Sequence, residues 1–202
     1  MPNEFKTLLT PSEGIFSESS SRFLAYAFPC ADENFIKTKK QELKKQHHKA
    51  VHVVHALRLC EDGAIERSSD DGEPSGSAGK PVLNELKSRE LTNIAVFVVR
   101  YFGGKKLGVP GLIHAYRTAT ANALEHAKIE THSIREFYNL MCTESEMNPI
   151  LHLIHQSGAS LETMEYGETC KFVISVKRID KEQIISKLSA NRKIKIEFLY
   201  SA

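Results

Sequence analysis

The stretch IAVFVVRYFGGKKLG, residues 94–108, carries the strongest structural signal in the sequence. Its first nine residues are mostly β-branched or aromatic, which is typical of a strand that is buried on both faces of a sheet. Two glycines then end the strand, and Pro110 predicts the start of a helix that runs to about Ala127 with an alanine-rich face suited to packing on that sheet. The sequence therefore predicts a sheet with residues 94–102 as a central strand.

Upstream of this stretch, apolar periodicity and turn residues predict a mixture of strands and helices. The expected elements are a strand over 16–28, a helix over 33–48, a strand over 50–59, a long loop over 61–80 and a helix over 81–90. The first helix follows Asp32, a residue type that favours the N-cap position, and six lysines lie between residues 37 and 49. These lysines predict a solvated cationic helix face.

Beyond residue 130 the pattern changes to shorter elements. The expected order is strand 137–143, helix 147–157, strand 159–166, strand 169–178, helix 181–190 and strand 194–200. This βαββαβ order is that of a small ferredoxin-like module. The sequence thus predicts an α+β protein with an N-terminal domain over 1–134 and a C-terminal domain over 135–202.

Composition restricts the classes of function. The 202 residues have a formal net charge of +2, so the global field gives no indication of nucleic-acid or membrane binding. The four cysteines lie at least 28 residues apart, without a CxxC pair, and favour a reduced cytosolic chain. The longest apolar run is six residues, far below the ~18 needed to span a bilayer, so we expect a cytoplasmic protein without membrane attachment.

Two glycine-containing loops of opposite charge are the candidate functional elements. The acidic loop, residues 61–80, has six acids and one arginine within 61–73, a local charge of −5. The basic loop, residues 100–108, has three cations and no acid within 100–106. Glycine allows backbone amides to converge on an anion, and the basic loop leads into a helix N-terminus, which also favours anions. A phosphate or a nucleic-acid backbone is the expected partner, although a plain strand-to-helix turn has the same pattern.

Other chemistries remain open at this point. Asp70, Asp71 and Glu73 could offer oxygens to Mg²⁺ or Ca²⁺, or supply a carboxylate base to a hydrolase, or simply cap backbone amides in a turn. The four histidines between residues 47 and 55 could bind zinc, but a strand over 50–59 would place His52 and His55 on opposite faces. Neither loop fits a Walker or GxGxxG pattern, so we expect no cofactor. Ser75, Ser77 and the histidines give only a weak signal of a hydrolytic triad, because there is no GxSxG elbow.

The loops resemble those of a known family. SDDGEPSGSAGKP at 69–81 and RYFGGKKLG at 100–108, with SRF at 21–23 and GLIHAY at 111–116, are similar to the IMPACT/YigZ family over about residues 5–130. The remaining residues resemble the small second domain of bacterial YigZ-type members. The resemblance implies a first domain similar to the second domain of ribosomal protein S5, followed by a ferredoxin-like domain similar to domain V of elongation factor G.

Both of those relatives contact ribosomal RNA, and eukaryotic IMPACT proteins regulate translation. The resemblance therefore implies a non-catalytic cytosolic binding protein that engages RNA, the ribosome or a translation factor; a small metal-assisted hydrolase and a protein-binding module are the alternatives. The family commonly has Arg where this chain has His114, and Arg117, one helical turn further, could replace it. The expected ligand-binding residues are Asp70, Asp71, Gly72, Glu73, Ser75, Arg100, Gly103, Gly104, Lys105, Lys106 and Arg117.

Overall fold

The computed structural model describes residues 2–202. The chain divides into two units, the first formed by residues 5–132 and the second by residues 133–202 together with residues 2–4. Each unit encloses buried apolar side chains of its own. Within the described residues, no helix is long and apolar enough to cross a membrane.

The first part of the chain contains seven strands and three helices. They are β1 (Glu4–Leu8), β2 (Ser12–Glu18), β3 (Ser21–Pro29), α1 (Asn34–Gln46), β4 (His52–Leu59), β5 (Ile65–Ser69), α2 (Gly79–Ser88), β6 (Ile94–Tyr101), α3 (Gly108–Glu125) and β7 (Ile129–Ser133). Five strands form an antiparallel sheet in the order β2-β3-β6-β4-β5, and β1 pairs with β7. The expected central strand is confirmed, because β6 lies in the middle of the sheet and is buried except for its last residue.

Apolar side chains cover both faces of this sheet, which explains why β6 is apolar on both alternations. On one face, Phe23 and Val98 pack against α2 and α3. On the other face, Val53 and Phe97 pack together with Leu43 of α1. The sheet is therefore the middle layer of three, and its strand ends carry the candidate loops.

Two expectations for the first part of the chain need correction. Residues 16–28 form the end of β2 and nearly all of β3, joined by a tight turn at Ser19 and Ser20, both of which have positive φ. Residues 61–80 are not one long loop, because β5 pairs with the end of β4 and α2 begins at Gly79. Below, the acidic loop is the segment 70–78 between these two elements. An edge strand has one solvent-facing side and needs few apolar residues, so the polar sequence of β5 gave no strand signal. The strands β1 and β7 were also not predicted.

The second part of the chain has the expected βαββαβ order. Its elements are β8 (Arg135–Thr143), α4 (Met147–Ser157), β9 (Ser160–Glu165), β10 (Thr169–Lys177), α5 (Lys181–Ser189) and β11 (Lys195–Ser201). The antiparallel sheet has the order β11-β8-β10-β9, and its core includes Leu140, Phe172, Ile154 and Leu188. The helical spacing of apolar residues in α4 and α5 places one apolar face of each helix against this sheet.

Candidate functional site

Arg100 lies near the end of strand β6, at the end of the sheet where the basic loop begins. In the strand register Arg100 lies opposite Phe23 of β3 and opposite His52 of β4. The three side chains share the sheet face that α2 and α3 cover, because side chains alternate between the two faces of a strand. Arg100 is therefore buried at the rim of an apolar layer rather than directed into solvent.

The acidic loop meets the basic loop through a buried ion pair. Glu73 Oε1 lies 2.6 Å from Nη1 of Arg100, and the two side chains are 4% and 7% exposed. The hydroxyl of Tyr116 in α3 donates to the same oxygen at 2.7 Å. Burial raises the pKa of Tyr116, and the hydrogen bond to Glu73 raises it further, so the tyrosine remains a neutral donor. Glu73 thus joins the loop, the central strand and α3.

Asp71 connects the acidic loop to α1 and β4. Its carboxylate lies 2.8 Å from Nζ of Lys40 and accepts a hydrogen bond of 2.8 Å from the amide of Val53. Lys44 approaches the same carboxylate at 3.3 Å, and Nδ1 of His52 donates to the Asp71 carbonyl at 2.7 Å. Burial opposes ionisation here, but the hydrogen bonds from Lys40 and Val53 hold the pKa of Asp71 below its ordinary value.

Asp70 folds the loop back onto the start of α2. Its two carboxylate oxygens accept hydrogen bonds from the amides of Gly76, Ala78 and Gly79, at 2.8–3.0 Å. Burial acts to raise the pKa of Asp70, but these amides hold it below its ordinary value. Because the carboxylate satisfies amides at the helix N-terminus, α2 begins before Pro81. Gly72 and Ser75 lie exposed on the outer side of the loop.

The geometry gives little support to a metal site or a carboxylate base in the acidic loop. Asp70, Asp71 and Glu73 are each occupied by protein donors. Within residues 2–202, no group of three or more His, Cys, Asp or Glu side chains is arranged to hold a metal ion. His52 and His55 lie on opposite faces of β4, since His52 contacts Asp71 whereas His55 packs on Phe97.

The basic loop is fixed at its start and open at its tip. The amide of Gly103 donates to Oγ of Ser21 at 3.0 Å, and a Cβ at this glycine would overlap the backbone of Ser20 and Ser21. Gly104 has a φ of +87°, which favours glycine. Lys105 and Lys106 are exposed, and neither forms an ion pair with any residue in the described range 2–202. Both ammonium groups are therefore available to a ligand.

Helix α3 and an exposed aromatic ring lie directly beside these lysines. The helix begins at Gly108 without a side-chain cap, so its first-turn amides face outward and favour an anion. Phe102 is 48% exposed, and its ring centroid lies 5.5 Å from the guanidinium carbon of Arg100. The loop thus presents cations, backbone donors and one flat apolar surface.

Two further cations extend this surface. Arg22 lies opposite Tyr101 in the register, and the amide of Val51 donates to the carbonyl of Arg100, which places the segment around Lys49 beside the end of β6. We refer to Arg22, Lys49, Lys105 and Lys106 as the cationic rim; all four are exposed. On this side His47 also bridges the hydroxyls of Tyr26 and Tyr101, at 3.0 and 2.9 Å.

The structure brings some of the expected site residues together and separates others. Glu73 and Arg100 are in contact, and Gly103 to Lys106 continue from the same strand end. Arg117 is directed elsewhere: its Nε lies 3.3 Å from Glu85, in a cleft of about 500 Å³ that Lys80 also lines. The acidic loop therefore positions the basic loop through protein contacts, and Arg117 does not extend the basic loop.

Sequence reasoning missed three residues of this site. Tyr116 lies within a quoted motif but carries no signal of its own, because a helical tyrosine is ordinarily read as core. His52 and Ser21 act through the strand register and the hairpin, which bring residues 52 and 21 beside residues 100 and 103. A hydrophobic pattern does not specify which residues stand opposite one another.

Comparison with known proteins identifies relatives of this chain. Residues 19–124 match the Impact N-terminal domain family. The chain is 34% identical over 152 residues to the IMPACT family member YvyE of Bacillus subtilis, covering 75% of this chain and 70% of YvyE. It is 31% identical over 128 residues to YigZ of Escherichia coli, covering 62% and 63% of the two chains. A crystal structure described as a hypothetical protein superposes with a TM-score of 0.72 at 23% identity over 99% of both chains, which supports the two-unit α+β fold.

Proposed function

This chain belongs to the IMPACT family, and from that premise we propose that it is a non-catalytic protein that binds RNA of the translation apparatus through its cationic rim. The observation that carries this proposal is the separation of charges around the two loops. The carboxylates of Asp70, Asp71 and Glu73 are occupied within the protein, whereas Lys105 and Lys106 project without partners among residues 2–202. A ligand approaching the tip of the basic loop meets cations and amides.

The strength of RNA binding follows from counterion release. Each phosphate that a lysine or arginine neutralises releases condensed cations, so affinity falls as salt rises. Four contacts, one for each member of the cationic rim, give a slope of log affinity against log salt of about −3 for single-stranded RNA. A binding surface without phosphate contacts has a slope near zero, so this slope separates the RNA proposal from a protein-binding module.

Phe102 gives the rim a second means of holding a nucleotide. Its half-exposed ring beside the lysines can stack on an unpaired base, and one such stack contributes about 1–3 kcal/mol. Every base has a flat face, so stacking of this kind shows little sequence preference. We expect single-stranded RNA or an RNA loop to bind more tightly than a regular duplex, whose bases are already stacked.

The experiment measures binding of a fluorescein-labelled single-stranded RNA to the full chain across a salt series. Changing both Lys105 and Lys106 to Glu is expected to abolish binding at 0.15 M salt, since two phosphate contacts become repulsions. The matched control changes Lys80 and Lys128 to Glu, two exposed lysines outside the rim. The proposal fails if the two double variants behave alike, or if wild-type affinity does not depend on salt.

A further inference from the structure

A second concave surface lies at the opposite end of the five-stranded sheet. Strand β3 ends there at Pro29, β4 ends at Leu59, and Asn93 precedes β6. These residues line an open cleft of about 760 Å³, which is within the range of about 300–1,000 Å³ of ligand sites. We refer to this surface as the acidic cleft; all of its lining residues belong to the first unit.

The floor of the acidic cleft is apolar. Leu8, Cys30 and Leu59 line it and are almost fully buried beneath its surface. Leu9, which also lines the cleft, is 50% exposed, and Ile65 at the start of the edge strand β5 is partly buried. An exposed leucine next to buried apolar side chains provides a continuous surface against which another apolar group can be desolvated.

Carboxylates surround this apolar floor. Four acidic residues line the cleft, with one histidine and no lysine or arginine: Asp32, Glu33, Glu61 and Glu130. Asp32 accepts hydrogen bonds from the amides of Asn34 and Phe35 at the start of α1, and Glu33 lies 3.2 Å from Arg67. Glu130 lies 3.3 Å from His132, whereas Glu61 forms no ion pair with any residue from 2 to 202. The cleft therefore attracts cations and repels anions such as RNA.

The two thiols of the cleft add no charge and no nucleophile. Burial raises the pKa of both Cys30 and Cys60, so both remain protonated at neutral pH. The thiol of Cys30 also lies 3.2 Å from the Asp32 carbonyl, to which it donates. The chemistry of the cleft is thus recognition by shape and charge, with neutral thiols as part of its apolar lining.

We propose that the acidic cleft binds a segment of a partner protein in which apolar side chains alternate with lysine or arginine. In an extended peptide successive side chains point in opposite directions, so one alternation meets the apolar floor while the other points towards the opening of the cleft. The long stems of lysine and arginine let their charged ends turn back to the carboxylates. Apolar burial supplies affinity and the carboxylates select cationic partners. No residue of the cationic rim takes part, so this proposal is independent of RNA binding.

The probe is a fluorescein-labelled peptide of alternating lysine and leucine, and its binding to the full chain is followed by fluorescence anisotropy at 0.15 M salt. Changing Glu61 and Glu130 to Lys is expected to weaken binding at least tenfold. Changing Glu13 and Glu125 to Lys makes the same change in net charge at exposed positions outside the cleft, and the expected effect is less than twofold. Equal weakening in the two variants means attraction by net charge alone and overturns the proposal.

A second pair of measurements tests the apolar part of the site. A peptide with serine in place of leucine is expected to bind at least tenfold more weakly. Leu9 is half-exposed, a position that tolerates a polar group. Leu9→Ser is therefore expected to weaken binding of the leucine peptide without changing the thermal unfolding midpoint by more than a few degrees. If the serine peptide binds as tightly as the leucine peptide, or Leu9→Ser has no effect, the cleft is not the binding site.

Discussion

The ion pair between Glu73 and Arg100 is the residue contact on which the site geometry depends. Two buried charges 2.6 Å apart compensate each other, but neither can be removed alone without leaving the other in a low-dielectric environment. Nε of Arg100 is already buried without a hydrogen-bond partner in the described structure, so the guanidinium relies heavily on this one carboxylate. The pair holds the middle of the acidic loop against the start of the basic loop.

We predict that Glu73→Gln lowers the free energy of unfolding by about 3–5 kcal/mol, because it leaves the Arg100 charge uncompensated. Glutamine retains an acceptor for the Tyr116 hydroxyl, so the change isolates the charge. Urea unfolding measures the loss, and Glu61→Gln, which removes a carboxylate that forms no ion pair, is the control. Combining Glu73→Gln with Arg100→Met is expected to restore part of the stability; additive losses would show that the two residues are not coupled.

The lowered pKa of His55 leads us to predict a loss of stability on acidification. Burial lowers the pKa of His55 to about 4, with Lys40 adding to the effect, and its Nδ1 is buried without a partner. The unfolded chain titrates near pH 6.5, so between pH 6.5 and 4 it binds more protons at this position than the folded chain. The contribution of the neutral His55 to the free energy of unfolding is therefore fully present above pH 6.5 and is lost as the pH falls towards 4. His55→Gln is expected to reduce this slope in urea unfolding, and a slope as steep as that of the wild type would contradict the assignment.

At the scale of elements, the β2–β3 hairpin holds the start of the basic loop. Ser21 is fully buried and accepts the Gly103 amide, so Ser21→Ala leaves that amide unpaired. We predict a loss of about 1–3 kcal/mol in unfolding free energy and faster hydrogen exchange across residues 102–107. Exposed Ser17→Ala in β2 is the control and is expected to change neither quantity. Unchanged exchange in Ser21→Ala would mean that the loop is held by other contacts.

The elements that the sequence predicted well are those with long apolar patterns. Strand β6 and helices α4 and α5 bury whole faces, and their periodicity follows directly from that burial. The short strands β1, β5 and β7 were missed because strand pairing, rather than a buried face, defines them. The turn at Ser19 and Ser20 was missed because serines form it, whereas a glycine or a proline is the stronger signal of a turn.

The sequence predicted which loops form the candidate site, but it did not predict the side-chain contacts between them. Charge runs and glycines identified both the acidic and the basic loop, since these features are local. The pairing of Glu73 with Arg100, and of Arg117 with Glu85, depends on how α2 and α3 lie on the sheet. Residues 27 and 32 positions apart meet only in the folded chain, so no local pattern distinguishes a cation that is available from one that is paired.

At the scale of the whole molecule, the first unit carries surfaces of opposite charge at the two ends of one sheet. The cationic rim surrounds the end of β6, and the acidic cleft surrounds its beginning. Eight residues of antiparallel strand separate them, which corresponds to about 25 Å. This distance exceeds the Debye length of about 8 Å at 0.15 M salt, so charge at one end has little influence on the other.

We therefore predict that RNA and the lysine–leucine peptide bind together and without coupling at physiological salt. Saturating RNA is expected to change peptide affinity less than twofold at 0.15 M salt, measured by anisotropy of the labelled peptide with unlabelled RNA. At 0.01 M salt the Debye length rises to about 30 Å, so bound RNA is expected to strengthen peptide binding by attraction across the unit. Competition between the two at 0.15 M salt would instead place both ligands on one surface, and the variant Lys105→Glu with Lys106→Glu would then weaken both.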